Sequence, residues 1–396
     1  MANNSALAKG SKSGLFWKEE TAFGDAPTGN WNACPVTSEG FSENIATVSP
    51  NDIRADRRSP MTRGGNKADG GSISNDFGIL RSLTWFRHLL AGGAAAAGVT
   101  LTPSALAIST AYNRGDYVTS GANTYVCIVG GTTNSTGVVG TLTTTSGRQN
   151  VAGATSTILV FEFVSVTSGN PLYTHTITAG VDWPSVGIAF EKQIKGGAAD
   201  LFIKFLGGRF NSFSMNIPQQ GIITSTWNVL NLSGERGGSS GVGTPVYPSD
   251  RVAIGYNAYV HLNGDLQGTA GRPLNSFSMD INNGADENVY VIGQRNREEI
   301  PEGTRKANGR FSTYFKDATE YDYLVNETKI ALALTIIEKG AFFKIEFPEC
   351  ILTGDSTPKV SGQGIVTADF EWNAGSETGN FDCKITAVTG VQNPAN

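Results

Sequence analysis

The sequence predicts a mainly β protein with two tandem β-sandwich or barrel domains, each with a short flanking helix, and a small inserted β domain. The chain of 396 residues has 49 glycines but only 16% charged residues, and it is rich in Thr, Ser and Val. This composition is typical of short strands and tight turns. Residues 220–227, QGIITSTW, return as residues 363–370, QGIVTADF. Because a repeat predicts units of the same architecture, we expect two related domains.

The composition excludes several classes of function. The formal net charge is −5, which is not the basic balance that drives binding to phosphate backbones. The N-terminus lacks the apolar segment of a signal peptide, and the longest apolar run, Leu89–Val99, is too short for a membrane span. We therefore expect a soluble protein without a membrane segment, made in the cytosol. Scattered cysteines indicate free thiols in a reducing compartment; these are Cys34, Cys127, Cys350 and Cys383.

The first domain is predicted to span residues 15–100 and 165–236, after a flexible N-terminal arm of residues 1–14. A strand at Ile45–Val48 leads into a long polar loop, Asn51–Gly71. A helix should follow, capped by Asn75 and Asp76, because apolar residues recur at helical spacing; they are Phe77, Leu80, Leu83, Phe86 and Leu90.

Residues 101–164 interrupt this domain with a change of composition. They are rich in Thr, Gly and Val and carry only two charges of each sign. We interpret them as a small inserted β domain, since surface loops tolerate insertions well. The first domain then resumes with three strands, and a linker at Gly234–Ser240 ends it. The strands are predicted at Val186–Phe190, Leu201–Leu206 and Phe210–Ile217.

The second domain, residues 237–396, should repeat this plan. A hairpin turn at Asn282-Asn283-Gly284 is predicted between strands 275–281 and 288–292. A second polar loop, Gln294–Asn308, is again basic. The remaining predicted elements are a strand at Arg310–Phe315, a short amphipathic helix with Ala318, Tyr321, Leu324 and Val325 on one side, and strands at Ile330–Glu338 and Phe342–Phe347.

No motif carries recognisable chemistry, so we predict no catalytic residue, no cofactor and no metal site. Residues 237–241 match G-x-S-x-G, but they lie in a linker rather than between a strand and a helix. The acidic run 280–287 lacks the spacing of a calcium loop. The three histidines, His88, His175 and His261, have no metal-ligand spacing.

Two groups of residues are candidates for binding. The basic loops could bind phosphate or, as we expect, contact acidic residues of neighbouring subunits or rings. Three tyrosines of the insert, Tyr112, Tyr117 and Tyr125, either form a sugar-stacking face or make up its small core. The basic contact candidates are Arg54, Arg57, Arg58, Arg63, Lys67, Arg295, Arg297 and Arg305.

Several ordered segments resemble one protein family. Residues 45–58, IATVSPNDIRADRR, resemble an extended segment and E-I-R-x-D-R loop in tail tube proteins of long-tailed, non-contractile bacteriophages. Residues 209–215 with 220–224 are similar to that family's central strands, and residues 315–327 to its second helix. The insert, with STAYNRGDYV at 109–118 and NTYVC at 123–127, resembles chitin-binding-like β modules of phage structural proteins.

The resemblance implies a structural virion protein of a phage tail, made in the host cytoplasm. Its copies would close into rings that share one inner barrel and stack into a tube for DNA ejection. The two domains imply three chains per ring with pseudo-sixfold symmetry, with six chains as the alternative. The implied partners are the chain itself and the tape measure, tail terminator and distal tail proteins. Genomic DNA would pass without specific binding, and the insert would decorate the outside.

Two other hypotheses remain open at this point. A surface adhesin or glycan-binding fibre protein would also be Gly- and Thr-rich and mainly β, and it would use the insert for binding. A β-sandwich enzyme would need a site assembled in space, because no sequence motif provides one. Imaging of the purified chain separates rings and tubes from a discrete sugar-binding particle.

Overall fold

The computed structural model describes residues 8–52, 58–92, 97–135, 142, 147–154, 158–166, 171–196, 199–263, 274–354, 357–358, 364–377 and 382–393. The described chain is mainly β, as predicted. Residues 1–7 of the predicted arm lie outside the described residues. Residues 9–14 are docked rather than free: the Lys9 N–H donates to the Lys195 carbonyl at 3.0 Å, and the first strand begins at Gly14.

The region before the insert contains an edge hairpin and a helix. Its elements are β1 (Gly14–Glu19), β2 (Asn32–Cys34), β3 (Ser38–Glu39), β4 (Ser42–Val48), β5 (Arg63–Asp76) and α1 (Ile79–Leu89). Strand β5 pairs with both β3 and β4, so the predicted loop at Asn51–Gly71 was wrong from Arg63 onward. The predicted caps were also wrong: Gly78 precedes α1, and Asp76 still belongs to β5. Helix α1 ends before Ala91, whose φ is +51°.

The insert forms a separate small sheet in the order β12-β13-β10-β9-β7. Its own core contains Tyr112, Tyr125, Leu159 and Phe161. The strands of this region are β6 (Val99–Leu101), β7 (Ser104–Ala105), β8 (Ala111–Tyr112), β9 (Tyr117–Ser120), β10 (Asn123–Val129), β11 (Gly131–Thr132), β12 (Arg148–Ala152), β13 (Ile158–Val166) and β14 (Leu172–Thr178).

After the insert, one long strand replaces two predicted ones. The elements are β15 (Ile188–Ile194), β16 (Leu201–Pro218), β17 (Thr224–Asn231) and β18 (Ser233–Gly237). Along β16, Phe213, Met215 and Ile217 are buried while the residues between them face the other way, which is the strand alternation. Strand β18 pairs with β16, so the linker prediction was wrong for residues 234–237.

The C-terminal region contains β19 (Ala258–Leu262), β20 (Leu274–Asn282), β21 (Lys306–Tyr314), α2 (Thr319–Val325), β22 (Ile330–Glu338), β23 (Ala341–Thr353), β24 (Thr367–Ala374) and β25 (Lys384–Thr389). The predicted hairpin at residues 282–284 was wrong, because β20 pairs with β21 instead. The residues between β20 and β21 form a long irregular segment that docks against β5.

One pattern of antiparallel pairing occurs twice in the chain. In the N-terminal set, β4 pairs with β5, β5 with β17, and β17 with β16. In the C-terminal set, β20 pairs with β21, β21 with β24, and β24 with β23. The QGI-[IV]-T segments lead into β17 and β24, which begin at the threonines of these segments, Thr224 and Thr367. Around them, Phe77 N–H donates to the Ile223 carbonyl and Phe315 N–H to the Val366 carbonyl.

Each set also contributes strands to an outer layer. In the N-terminal set, β15 pairs with β1 and with the first part of β16, which pairs with β18. In the C-terminal set, β22 pairs with β19 and β23, and β23 with β25. Helix α1 is buried between the layers, where Trp85 packs against Phe210 at 5.4 Å and Trp227 at 5.3 Å between ring centroids. The helices therefore lie on one side of the inner strands only.

Candidate functional site

A polar face covers the side of the inner strands opposite the helices. The inner strands run in the order β4-β5-β17-β16-β20-β21-β24-β23. Residues such as Trp227, Met279 and Phe311 point to the core, and their strand neighbours point to solvent. The polar face is formed by Ser72, Ser74, Asp76, Ser212, Ser214, Asn216, Thr224, Thr226, Asn228, Ser276, Ser278, Asp280, Asn282, Lys306, Asn308, Arg310, Ser312, Tyr314, Thr367, Asp369, Glu371 and Asn373.

The polar face is mildly acidic. Its carboxylates are Asp76, Asp280, Asp369 and Glu371, and its cations are Lys306 and Arg310. Arg310 forms an ion pair with Glu371, so one of the two cations is already neutralised. Partial burial raises the pKa of Asp280 above its usual value. The rest of the face is hydroxyl, amide and phenol, which presents a hydrated surface with little positive charge to attract a polyanion.

The two sets are joined within the chain by the pairing of β16 with β20. Seven residue pairs form this joint, from Ser212↔Asn282 to Pro218↔Ser276. Asn283 continues the joint: its Nδ2 donates to the carbonyls of Phe210 at 3.0 Å and Leu89 at 2.8 Å. The joint therefore combines a strand ladder with a buried amide.

The corresponding strand edges at the two ends of the run are open among the described residues. Strand β4 pairs with β5 on one side only. At the other end, Cys350 still pairs with Ile330 of β22, but Ile351–Thr353 of β23 pair with β24 on one side only. These positions correspond to β20 and to the second part of β16 in the internal joint. Each chain thus ends in two edges of the kind that pair inside it.

Four of the predicted basic residues come together along β5. The Lys67 Nζ donates to Glu43 Oε1 at 2.7 Å and to the Gly234 carbonyl at 2.9 Å. Arg295 Nε donates to the Gly65 carbonyl at 3.1 Å. The buried Arg297 donates through Nη1 to the carbonyls of Asp69 at 2.6 Å and Asn231 at 2.9 Å. The two basic loops predicted from the sequence therefore meet within one chain. Arg63, the fourth, lies exposed at the start of β5.

The remaining basic candidates are placed apart from these. Arg305 donates to Asn283 Oδ1 at 3.1 Å and pairs with Asp382. Arg58 is exposed next to the hairpin formed by β4 and β5. Arg54 and Arg57 lie outside the described residues. A contact of any of these residues with another subunit stays a prediction.

Comparison with known protein families identifies the fold. The family model described as phage tail tube protein matches residues 10–374. The chain belongs to the phage tail tube protein family. It is therefore a structural component of a phage tail, and its family is not an enzyme family. A search of curated proteins found no match. Within the described residues, neither helix is long and apolar enough to cross a membrane.

The insert of this tail tube protein buries the three candidate tyrosines. Tyr125 is fully buried and Tyr112 is 5% exposed. Tyr117 packs between the insert and the outer layer, where its hydroxyl donates to the Gly340 carbonyl at 2.8 Å. A sugar ring cannot stack on a buried side chain, so these positions favour the core interpretation over a glycan-stacking face.

The tail tube protein also contains buried polar groups with structural partners. The serine of the G-x-S-x-G match, Ser239, is exposed. The next residue, Ser240, donates to the fully buried Glu191 at 2.8 Å, and the Gly241 N–H donates to the same carboxylate. No histidine is part of this group. The four cysteines are buried free thiols, and burial raises the pKa of Cys350 to about 12. In the described part of the chain, no cluster of three or more acidic, His or Cys residues could hold a metal.

One buried cluster was not predicted from the sequence. At the end of α1, Arg87 pairs with Glu19 of β1, and His88 Nε2 lies 3.3 Å from the same carboxylate. Burial raises the pKa of Glu19, but the hydrogen bonds from His88 and Arg87 outweigh it and lower the pKa to about 2. Burial lowers the pKa of His88 despite Glu19. The cluster fastens α1 to the outer layer, and only the three-dimensional fold brings its members together.

Proposed function

We propose that three copies of this chain close into a ring by pairing the open β4 edge of one chain with the open β23 edge of the next, and that such rings stack into the tube of a long, non-contractile phage tail. The observation that carries the proposal is the internal β16–β20 joint. It connects two sets with the same pairing pattern, so it serves as a template for the joint between chains. Closure would remove every free edge of the inner strands.

The size of the resulting barrel favours three chains over six. Each chain supplies eight inner strands, so three chains supply 24. With strands about 4.8 Å apart and tilted by about 40°, the barrel would be roughly 45–50 Å across between backbones. Side chains on the inner face would leave a lumen wide enough for a DNA duplex. Six chains would double the width to roughly 95 Å by the same estimate, far more than a duplex needs.

The polar face supports the role of a conduit. The helices and outer layer lie on one side of the inner strands, so the polar face would line the lumen. Its excess of carboxylates over cations would repel phosphate weakly rather than bind it, and DNA could pass without being held. Contacts with the tape measure, tail terminator and distal tail proteins would follow from this role.

The insert is proposed to lie on the outside of the tube. It packs on the outer layer of the C-terminal set, where Tyr117 and Ile128 contact Ile337 and Phe342. Deletion of residues 101–164 uncovers these apolar side chains, so the deletion is best combined with Phe342→Thr. Tubes of this variant should still assemble and should be thinner. Loss of all polymerisation would contradict the outer position.

Imaging tests the ring. Purified chain is concentrated, and the rings or tubes are examined by cryo-electron microscopy with native mass spectrometry of the smallest closed ring. Three chains per ring, with six similar lobes around the lumen and three outer projections, is the expected result. Six chains per ring, or a chain that stays monomeric at every concentration tested, would refute the proposal.

A further inference from the structure

Helices α1 and α2 occupy corresponding positions in the two sets. Helix α1 follows the inner strand β5, whose last residue pairs with Thr224 at the start of β17. Helix α2 follows the inner strand β21, whose last residue pairs with Thr367 at the start of β24. Helix α1 turns Trp85 and Phe86 toward the core, and α2 turns Tyr323 and Leu324 toward it at the matching positions. The strand and helix of the C-terminal set are thus aligned with those of the N-terminal set residue by residue.

Corresponding apolar side chains on and just before the two helices differ sharply in burial. Phe77 is fully buried and Leu83 is 3% exposed, whereas their counterparts Phe315 and Tyr321 are 43% and 40% exposed. Tyr321 shares its side of the helix with Val325, one turn later, which is 60% exposed. We call the apolar side chains around α2 the α2 face; they are Phe315, Tyr321, Val325 and Ile365.

The side chain that covers α1 comes from the other set. Phe343 of β23 lies 5.3 Å from Phe77 and 5.4 Å from Phe86 between ring centroids. The outer layer of the C-terminal set therefore covers the helix of the N-terminal set, next to the β16–β20 joint. Among the described residues no such layer covers α2, since Phe315, Tyr321 and Val325 remain 40–60% exposed.

We propose that the α2 face is covered by the outer layer of the neighbouring chain's N-terminal set, at the first part of β16. This rests on the proposed ring. The strands β1, β15, β16 and β18 correspond by pairing to β19, β22, β23 and β25. The occupant would be a second copy of this chain, presenting Leu201 and Ile203, which are only partly buried in the single chain.

Charge substitution tests the α2 face. Tyr321→Arg places a charge on the α2 face without altering the core. Ile158→Arg is the matched control, because Ile158 is 56% exposed on the insert, away from the proposed interface. Both variants should show the wild-type circular dichroism spectrum as single chains. Tyr321→Arg should raise the concentration needed for ring formation at least tenfold, and Ile158→Arg should leave it unchanged.

Hydrogen exchange adds a readout that does not depend on the variant. In wild-type rings, the amides of residues 319–325 should exchange at least tenfold more slowly than in single chains. If Tyr321→Arg forms rings as readily as wild type and exchange in α2 is unchanged, the inference is overturned while the ring stands. If the wild-type chain forms no rings at all, the proposed function itself fails.

Discussion

The open edge of β4 can be blocked at a single residue. We predict that Glu43→Pro leaves the single chain folded but weakens ring formation, whereas Glu43→Ala does not weaken it to the same degree. Proline lacks the backbone N–H that a neighbouring strand would need, and it is tolerated on edge strands. The alanine variant loses the same contact with Lys67 but keeps the N–H, so it is the matched control.

The direction of the Glu43 N–H follows from the residues opposite β4. The Lys67 N–H donates to the Arg295 carbonyl at 2.7 Å, and the Asp69 carbonyl accepts from Arg297 at 2.6 Å. The N–H of Lys67 and the carbonyl of Asp69 therefore point away from β4. Glu43 lies opposite Asp69. When one residue of an opposite antiparallel pair directs its backbone groups away from the other strand, its partner also directs its groups away from the pair. The Glu43 N–H thus points to the open edge.

The expected loss can be estimated from one hydrogen bond. In the internal joint, the corresponding residue is Ile281, which pairs with Phe213. Leaving the partner carbonyl unsatisfied at a buried interface costs about 1–3 kcal/mol. Since 1.4 kcal/mol is a factor of ten, each joint should weaken by roughly 5- to 150-fold. A ring of three chains has three such joints, so closure would suffer at each of them.

Sedimentation velocity across a concentration series measures the effect. The concentration at which half of the chains are in rings should rise at least fivefold for Glu43→Pro relative to Glu43→Ala. Circular dichroism and thermal melting of the single chains check that both variants are folded. Equal assembly of the two variants, with intact folds, would refute the assignment of β4 as a pairing edge.

Three further predictions concern the single chain. Phe343→Ala should lower the free energy of unfolding in urea by about 3–5 kcal/mol, because the Phe343 ring packs on Phe77 and Phe86. Phe315→Ala removes a half-exposed ring and should lower the free energy of unfolding by less than half as much. Burial lowers the pKa of His88 below 6.5, so the unfolded chain binds the proton first and stability should fall as pH drops below about 6.5. His88→Gln should flatten this slope in thermal melts between pH 7 and 5. Gly115→Ala should loosen the insert and speed proteolysis around it, because φ is +93° there and an added Cβ would overlap the Phe342 ring.

The fold was predictable where periodicity was strong. The alternation of Phe343, Ile345 and Phe347 and the helical spacing from Phe77 onward both matched the structure. Prediction failed where composition and pairing disagree. Residues 63–71 are polar and contain four glycines, yet they form the first part of β5 because β4 pairs with this strand from Arg63 to Gly70 and β17 pairs with it from Asp69 onward. Long-range pairing of this kind leaves no local signal.

The candidate surfaces were only partly predictable. The repeat marked β17 and β24 correctly, but it did not reveal that β16 pairs with β20 and so joins the two sets. The basic loops were predicted to contact neighbouring subunits or rings, whereas the structure places Lys67 and Arg297 against partners of their own chain. Charge clustering alone does not distinguish contacts within a chain from contacts between chains, because both use the same carboxylates and carbonyls.

The two sets also differ in a way that bears on the outside of the tube. In the C-terminal set, β14 pairs with β25 and carries the insert onto that edge. The corresponding edge in the N-terminal set is β18, a short strand with the charged residues Glu235 and Arg236, which discourage further pairing. A chain with one set would have to carry an insert at every position of the ring. A chain with two sets can decorate every second position while both sets keep the same inner strands, so we expect three inserts around a six-lobed ring.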